Sequence, residues 1–411
     1  MKRTIQNTIF LCGLLQLPYS CCAQTGQTKF SEAIHLVQTN QFEQGLELLL
    51  KLSERHPNNP KVLYNTAYTL KQLCRMAQAI PFYERAVLLD AEQAAMHLGL
   101  AKAYLATGNF ARGWQEFEYR MANQKKYREK YPIHDLVEAN LQNKTVLIKS
   151  EWGLGDMIQF VPRYAKVLKE AGVKKIIAHT FPPLVQLFSC CDHIDQAIPL
   201  DQPAAGYDIQ IPALSLPLIC KTKVETIPIN IPYLQADQNL VNHWHEQLQK
   251  IDSGEKLRIG LCWQAKPEIF LEQNPLTKRS IPLKLFAPLA ELEHVQLYSL
   301  QKQFGTSQLE NISWNIHKFD ADFDNSNGRF MDTAAVIENL DLIISVDTAI
   351  VHLAGALGAP VWVLLPRTPE WRWQLHKTET PWYPNVRLFK QKKTEDWSSV
   401  ILQIKDLLCT F

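Results

Sequence analysis

The chain has 411 residues, of which 46% are hydrophobic and 20% are charged, so it holds enough apolar material for two or three packed domains. Its 43 Lys and Arg residues nearly balance its 41 Asp and Glu residues, which leaves a formal net charge of +2. This balance excludes a broad basic surface that would bind nucleic acid or an anionic membrane by electrostatics alone. A small anionic ligand in a cleft is compatible with it.

The first 25 residues have the order of a signal peptide. Lys2 and Arg3 precede an apolar stretch, residues 9–17, and small residues follow at 21–23. The apolar stretch is too short to cross a bilayer as a helix. Residues 1–25 are therefore interpreted as a signal peptide or a disordered leader, and no transmembrane span is predicted.

Residues 26–127 contain a repeat with a period of 34, in the segments 26–59, 60–93 and 94–127. This is the period of the tetratricopeptide repeat, in which small residues let paired helices approach and large ones fill the groove between repeats. The second copy shows the pattern best, at Leu63, Ala67, Leu70, Ala79, Tyr83 and Ala86. A generic helical bundle is the alternative. Such an array either binds a protein partner or braces the neighbouring domain.

From about residue 143 short β-rich runs alternate with amphipathic helices, which is typical of parallel sheets covered by helices. Strands are predicted at 145–149, 174–180, 207–212, 257–263, 295–300, 341–346 and 360–365. The predicted fold is thus a helical repeat array followed by two doubly wound α/β lobes, residues 143–250 and 256–390. A final helix in 391–411 is expected to return to the first lobe. Ligands of such sheets bind at the carboxyl ends of the strands.

The first loop segment, residues 151–160, joins a predicted strand to a helix. Gly153 and Gly155 allow a tight bend and close approach of a ligand, and the helix presents unpaired N–H groups to an anion or a polar sugar. Asp156 stands at the helix start, where it is either a functional carboxylate or a helix cap.

The second loop segment, residues 344–360, has the same strand, loop and helix order. Asp347 and Thr348 stand at the helix N-terminus, and His352 follows about one turn later. Its amides are predicted to bind a pyrophosphate, with Thr348 as an additional donor. His352 has a second interpretation as a core histidine.

Residues 143–411 resemble the bacterial glycosyltransferases of family 9, the group of the lipopolysaccharide heptosyltransferases, and especially the subgroup in which tetratricopeptide repeats precede the transferase. The resemblance is carried by GLGDMIQFVPRYAKVL, FPPLVQLF, LSLPLI, IGLCWQAKP, KRSIPL, YSLQK, the run from Asp332 to Pro366, EWRWQL and PWYP. It implies a GT-B fold and a metal-independent, inverting transfer from a nucleotide sugar, with no cofactor.

The resemblance also implies roles for individual residues. Asp156 matches the carboxylate proposed as general base, and the first loop segment, with Gly153, Leu154, Gly155 and Gln159, would face the acceptor. The residues that would contact or border the donor are Asp347, Thr348, Ala349, His352, Gln301, Lys302, Arg279 and Trp263, with Ser280 and Lys266 beside them. Ala349 replaces a glycine that is common in heptosyltransferases, which argues against an ADP-heptose donor.

Other clusters are given structural interpretations. The acidic run at residues 320–324 has no metal-binding signature and is expected to be a solvated loop. The aromatic residues Trp371, Trp373, Trp382 and Tyr383 are expected to pack at a hinge between the lobes, with stacking on a base or sugar as the alternative.

The predicted function is sugar transfer from a nucleotide sugar to a protein or glycan acceptor. The alternative is a scaffold that binds partners through its repeats and has a degenerate transferase domain. An oxidoreductase is disfavoured because the first loop segment lacks the third glycine of a dinucleotide-binding motif. Because nucleotide sugars are cytoplasmic metabolites, a cytoplasmic location is expected, with export through the leader as the alternative.

Overall fold

The computed structural model describes residues 24–121, 133–252, 254–267, 274, 276–375 and 377–410. The predicted leader, residues 1–25, lies outside this part of the chain except for its last two residues. None of the helices described is long and apolar enough to cross a membrane.

The N-terminal part is an array of three antiparallel helix pairs, called the helical array below. Its helices are α1 (Gln24–Gln38), α2 (Phe42–Arg55), α3 (Pro60–Gln72), α4 (Met76–Leu89), α5 (Ala94–Ala106) and α6 (Phe110–Phe117). From α2 to α4 to α6 the start positions follow the predicted spacing of 34 residues. Asn59 begins α3 because its side-chain oxygen accepts hydrogen bonds from the N–H groups of Lys61 and Val62.

The α/β part contains two sheets. The first is a four-stranded parallel sheet in the order β3-β2-β1-β4, and the second has six strands in the order β6-β5-β7-β8-β10-β9. All pairs of the second sheet are parallel except β9 with β10. The strands are β1 (Thr145–Lys149), β2 (Lys175–Thr180), β3 (Gln196–Pro199), β4 (Ile209–Pro212), β5 (Leu257–Cys262), β6 (Val295–Ser299), β7 (Leu342–Val346), β8 (Val361–Leu365), β9 (Glu379–Thr380) and β10 (Tyr383–Lys390).

Helices and short 3-10 turns connect these strands. The α-helices are α7 (Ile133–Glu138), α8 (Leu154–Glu170), α9 (Val185–Ser189), α10 (Leu216–Ile219), α11 (Gln238–Ile251), α12 (Ala287–Ala290), α13 (Met331–Ile337), α14 (Ala349–Leu357) and α15 (Trp397–Leu408). A helical array followed by an α/β part with parallel sheets is therefore present, as predicted.

Two boundary predictions need correction. The predicted first lobe, residues 143–250, includes nearly all of α11, but α11 packs on α13 beside the second sheet; Trp244 Nε1 donates to Asp332 Oδ1 at 2.9 Å. Helix α15 does not return to the first sheet. It packs on the helical segment at 283–290 instead. Its residues Trp397, Ile401 and Ile404 are buried in the hydrophobic core of the second sheet.

The helical array is wedged against the α/β part. Leu276 is buried among residues of α1, α2 and α3, and Leu375 packs on the neighbouring cluster of α3, α4 and α5. Thr368 Oγ1 donates to the carbonyl of Gln72 at 3.0 Å. Helix α5 is buried on nearly every side, as expected for a helix enclosed by its own array and by a second surface.

Candidate active site

The first loop segment is held by charged groups from two other parts of the chain. Asp156 Oδ2 accepts a hydrogen bond from the N–H of Gly153 at 3.2 Å, so the carboxylate caps α8, as one of the two interpretations proposed. Asp156 Oδ1 also receives the Arg372 guanidinium at 2.7 Å, and that side chain is 9% exposed. Asp156 is thus both a cap and half of an ion pair between the two sheets.

Glu151, which precedes the glycines, is bound by Arg120 at the end of the helical array. Arg120 Nη2 lies 2.9 Å from Glu151 Oε1 and Nη1 lies 2.7 Å from Glu118 Oε1, with the arginine 1% exposed. Burial raises the pKa of Glu118 although Arg120 opposes that change. Glu151 Oε1 also accepts from the N–H of Leu214 at 2.9 Å. The helical array therefore positions the start of the first loop segment.

The second loop segment is held by hydrogen bonds within the segment and by Arg279, which lies in the same lobe. Thr348 Oγ1 accepts from the N–H of Ile350 at 3.3 Å and begins α14, and Ser345 Oγ lies 3.2 Å from the same hydroxyl. Arg279 Nη1 donates to the carbonyl of Asp347 at 3.2 Å and lies 3.8 Å from its Oδ2. The Thr348 hydroxyl is thus used as a cap, and Arg279 lies beside Asp347.

The two loop segments meet through their helix N-termini. A Cβ added to Gly155 would lie 2.9 Å from His352 Cδ2 and 3.3 Å from Ala349 Cα. In this structure α14 occupies the space beside Gly155, where the sequence pattern predicts the close approach of a ligand. The N-terminal ends of α8 and α14 are therefore in contact between the two sheets.

His352 is buried, at 2% exposed, and its ring stacks on Trp373 with centroids 5.7 Å apart. Its Nδ1 lies 3.0 Å from the Tyr383 hydroxyl. Burial lowers the pKa of His352 well below its usual value, and the nearby Arg372, Arg163 and Arg279 lower it further. The histidine is neutral and packed, which agrees with the core interpretation rather than with a donor contact in this conformation.

Two residues predicted to contact the donor, Gln301 and Trp263, form hydrogen bonds that hold the loops after β5 and β6 together. Gln301 Oε1 accepts from the N–H groups of Trp263 and Gln264 at 3.0 and 2.9 Å, and Gln301 Nε2 donates to the carbonyls of Gln264 and Phe304. Trp263 is fully buried, with Nε1 3.3 Å from the Gly305 carbonyl. Both side chains hold this loop and are buried in this structure, and their predicted contact with the donor stays a prediction.

The remaining predicted residues surround these contacts. Lys302 Nζ donates to the carbonyl of Phe323 and lies 5.5 Å from the centroid of the Phe323 ring. Leu154 begins α8 and is partly buried. Gln159, one turn beyond Asp156, is fully buried, and neither polar atom of its side chain has a partner in the described part of the chain. Ser280 and Lys266 lie in the loops beside Arg279 and Trp263.

The sequence does not mark Arg372 as a functional candidate, because its partner Asp156 is 216 residues away. Trp371, Trp373, Trp382 and Tyr383 are all buried and cannot stack on a ligand; they pack against α8, α14 and the helical array, as in the first interpretation. The acidic run at 320–324 is also not wholly solvated. Asp324 is 7% exposed, accepts from Thr333 N at 2.9 Å, and has its pKa raised by burial.

Fold and site together define a class. It is an α/β protein with one parallel and one mostly parallel sheet, in which two adjoining helix N-termini carry carboxylates beside arginines and a helical array packs against them. A family model described as glycosyltransferase family 9 (heptosyltransferase) matches residues 328–400. That stretch contains the second loop segment and Arg372. The resemblance to family 9 found in the sequence is thereby confirmed.

The individual proteins that the chain resembles share little sequence identity with it. The chain is 25% identical over 394 residues to "Protein FlbA" of Caulobacter vibrioides. The aligned region covers 86% of this chain but only 62% of FlbA. A family 9 glycosyl transferase from Veillonella parvula has a TM-score of 0.48 and 13% identity, covering 65% of this chain and 92% of the other. The E. coli ADP-heptose LPS heptosyltransferase II has a TM-score of 0.44 and 14% identity, covering 65% and 100%.

Proposed function

We propose that the protein is a glycosyltransferase of the GT-B type that transfers a sugar from a nucleotide-sugar donor to a protein or glycan acceptor. The observation that carries this proposal is the overlap between the family model and the site. The matched residues 328–400 include the α14 N-terminus and Arg372, and these groups touch the first loop segment.

The charges around the two helix N-termini suit a departing nucleoside diphosphate. The N-terminal amides of α14 and the guanidinium groups of Arg279 and Arg372 would stabilise the negative charge that develops on it. Cationic side chains in these positions support a transfer that is metal-independent. The donor itself is a substrate, and the proposal requires no cofactor.

Asp156 is the proposed general base for the acceptor hydroxyl. A carboxylate suits this step when it lies within hydrogen-bond distance of the hydroxyl. Its present partner, Arg372, would gain a second anion when a diphosphate binds, which would leave Asp156 Oδ1 available to the acceptor. Attack from the side opposite the diphosphate would invert the anomeric centre. The donor sugar is a hexose or a heptose, and the proposed location is cytoplasmic, where nucleotide sugars are made.

A first experiment tests donor binding. Thermal unfolding of the full chain is followed with ADP, GDP, UDP and CDP and with the corresponding nucleotide sugars. Saturation at about 100 times Kd would stabilise the protein by about 2.7 kcal/mol. Arg279→Gln is expected to lose this stabilisation, whereas the adjacent Lys278→Gln is the matched control and keeps it. Absence of any shift with the wild type would contradict the proposal.

A second experiment separates turnover from binding. Release of the nucleoside diphosphate from the stabilising nucleotide sugar is measured for wild type, Asp156→Asn and the exposed control Asp201→Asn. We expect Asp156→Asn to bind the donor as the wild type does and to lose turnover. The contact of Gly155 with Ala349, together with the capping of Asp156, favours the scaffold as second candidate. Binding without turnover in the wild type would support that scaffold.

A further inference from the structure

Two lysines of the helical array point to a role for the array in the site itself. Lys71 lies at the end of α3 and Lys102 lies in α5, and both side chains are partly exposed although their helices are otherwise almost wholly buried. In α5 the partly exposed residues Ala95, Leu98, Lys102 and Ala106 share one face of the helix. Lys102 therefore lies on the one stripe of α5 that remains accessible.

Segment 367–373, which carries Arg372 of the candidate site, packs against the helices that carry these two lysines. Thr368 is bonded to the carbonyl of Gln72, the neighbour of Lys71, and Cys74 Sγ lies 3.3 Å from the carbonyl of Arg367. The turn Trp371–Trp373 packs along α5. Glu370 is consequently held beside the ends of α3 and α5, within electrostatic range of both lysines.

The same segment connects the lysines with the two loop segments. Glu370 Oε2 accepts from the N–H of Arg372 at 3.0 Å, and the Arg372 side chain reaches Asp156. Both Glu370 and Arg372 are within electrostatic range of Asp347 at the α14 N-terminus. Lys71 and Lys102 thus border the cluster of charges that surrounds the proposed diphosphate site.

The lysines are poorly neutralised in this structure. No carboxylate in the described part of the chain lies within 4 Å of Lys71 or Lys102, although Glu370 is near both. Burial lowers the pKa of Lys71 to about 8, and Lys102 lowers it further because like charges repel. Two neighbouring, partly buried cations without an ion pair are costly unless an anion joins them.

We propose that Lys71 and Lys102 complete the anion-binding side of the cleft, so that the helical array supplies part of the site for the donor's diphosphate. This inference rests on the proposed function and adds residues that lie outside the transferase lobes. It also gives the array a role beyond bracing: its inner helices are covered by the chain's own loops and contribute charge to the site.

The test compares Lys71→Gln, Lys102→Gln and the double variant with Lys51→Gln, an exposed lysine on the outer helix α2. Kd is measured on the full chain for the nucleoside diphosphate that stabilises the wild type and for the matching nucleoside without phosphate. Each single variant is expected to weaken diphosphate binding about tenfold, as loss of one charge-assisted contact would, and the double variant more. Nucleoside binding and the Lys51→Gln variant should stay within about twofold of wild type.

A structural role is distinguished by stability and by rescue. The unliganded Tm of Lys71→Gln should equal or exceed that of wild type, because one of two repelling cations is removed, and Lys102→Arg should keep diphosphate affinity. Diphosphate affinity in the double variant equal to that of Lys51→Gln would overturn the inference while leaving the proposed function intact. Equal losses for nucleoside and diphosphate would also overturn it. If no diphosphate binds the wild type, the proposed function fails and this inference fails with it.

Discussion

The two loop segments have the same order of strand, loop and helix, but they are stabilised in different ways. In the first, Glu151 is bound by Arg120 of the helical array and Asp156 by Arg372 beside the second sheet. In the second, Thr348 caps its own helix and Asp347 is approached by Arg279 of the same lobe. The first segment depends on distant parts of the chain, whereas the second is organised locally.

This difference has a consequence for the proposed chemistry. The contacts of Thr348 and Arg279 that hold the second loop segment come from the second lobe. Those that hold the first come from the helical array and from the region beside the second sheet. Placement of the proposed base therefore depends more directly on the helical array than placement of the α14 amides does.

The largest expected effect comes from Arg120→Met. It leaves Glu118 and Glu151 as neighbouring, largely buried carboxylates without their cation, with side chains 11% and 14% exposed. Loss of one partner from a buried ion pair costs about 3–5 kcal/mol, so the free energy of unfolding measured by urea should fall by that amount. Arg75→Met, which breaks the exposed pair with Glu43, is the control and should cost about 0–1 kcal/mol.

The stability of the Arg120→Met variant is expected to depend on pH. Burial already raises the pKa of Glu118 in the wild type, so the folded state binds a proton more readily than the unfolded chain. A raised carboxyl pKa means that stability increases as pH falls and is lost as pH rises through the folded pKa. Arg120→Met should therefore recover stability between neutral pH and about pH 5. A deficit that is constant over this range would show that the arginine acts by packing alone.

A smaller effect is expected from Gly155→Ala, which tests the contact between the loop segments. The added Cβ meets the Ala349 backbone, which cannot rotate away as a side chain can. Overpacking of this kind costs about 1–3 kcal/mol, measured as a lower free energy of unfolding. Gly153→Ala is the matched comparison, because within the described residues its added Cβ would meet only the Asp156 carboxylate oxygen, at 3.1 Å. Equal stability of the two variants would mean that the helices readily separate.

Much of the fold follows from local sequence patterns. The predicted runs at 145–149 and 295–300 differ from β1 and β6 by one residue at most, because buried parallel strands are continuous apolar runs. Short or polar elements escaped this reasoning. Strand β3 has four residues and no fully buried side chain, and α11 buries only Leu248. Neither contains the continuous apolar run that marks the buried strands.

The site was less accessible to sequence reasoning than the fold. The pattern located both helix N-termini, since a strand, a glycine-bearing or capped turn and a helix are all local. It did not locate Arg372 or Arg120, whose partners are 216 and 31 residues away. Such pairs are set by tertiary packing. The hydrogen bonds of Gln301 and Trp263 were not predicted for the same reason, because they are made to a loop whose shape is not visible in the sequence.

The smallest effect is expected at the locally organised segment, from Thr348→Ala. The variant removes the side-chain cap of α14, which typically costs about 1 kcal/mol, and Thr348→Ser should restore it because serine keeps the accepting hydroxyl. If capping is the main role of this hydroxyl, the affinity for a nucleoside diphosphate, measured by titration at a temperature where both proteins are folded, should change less than about threefold. A much larger loss of affinity would show that the hydroxyl leaves its cap and binds the donor, as the family resemblance implies. In that case the second loop segment would also rearrange on binding, and the contrast with the first would hold only for the unliganded protein.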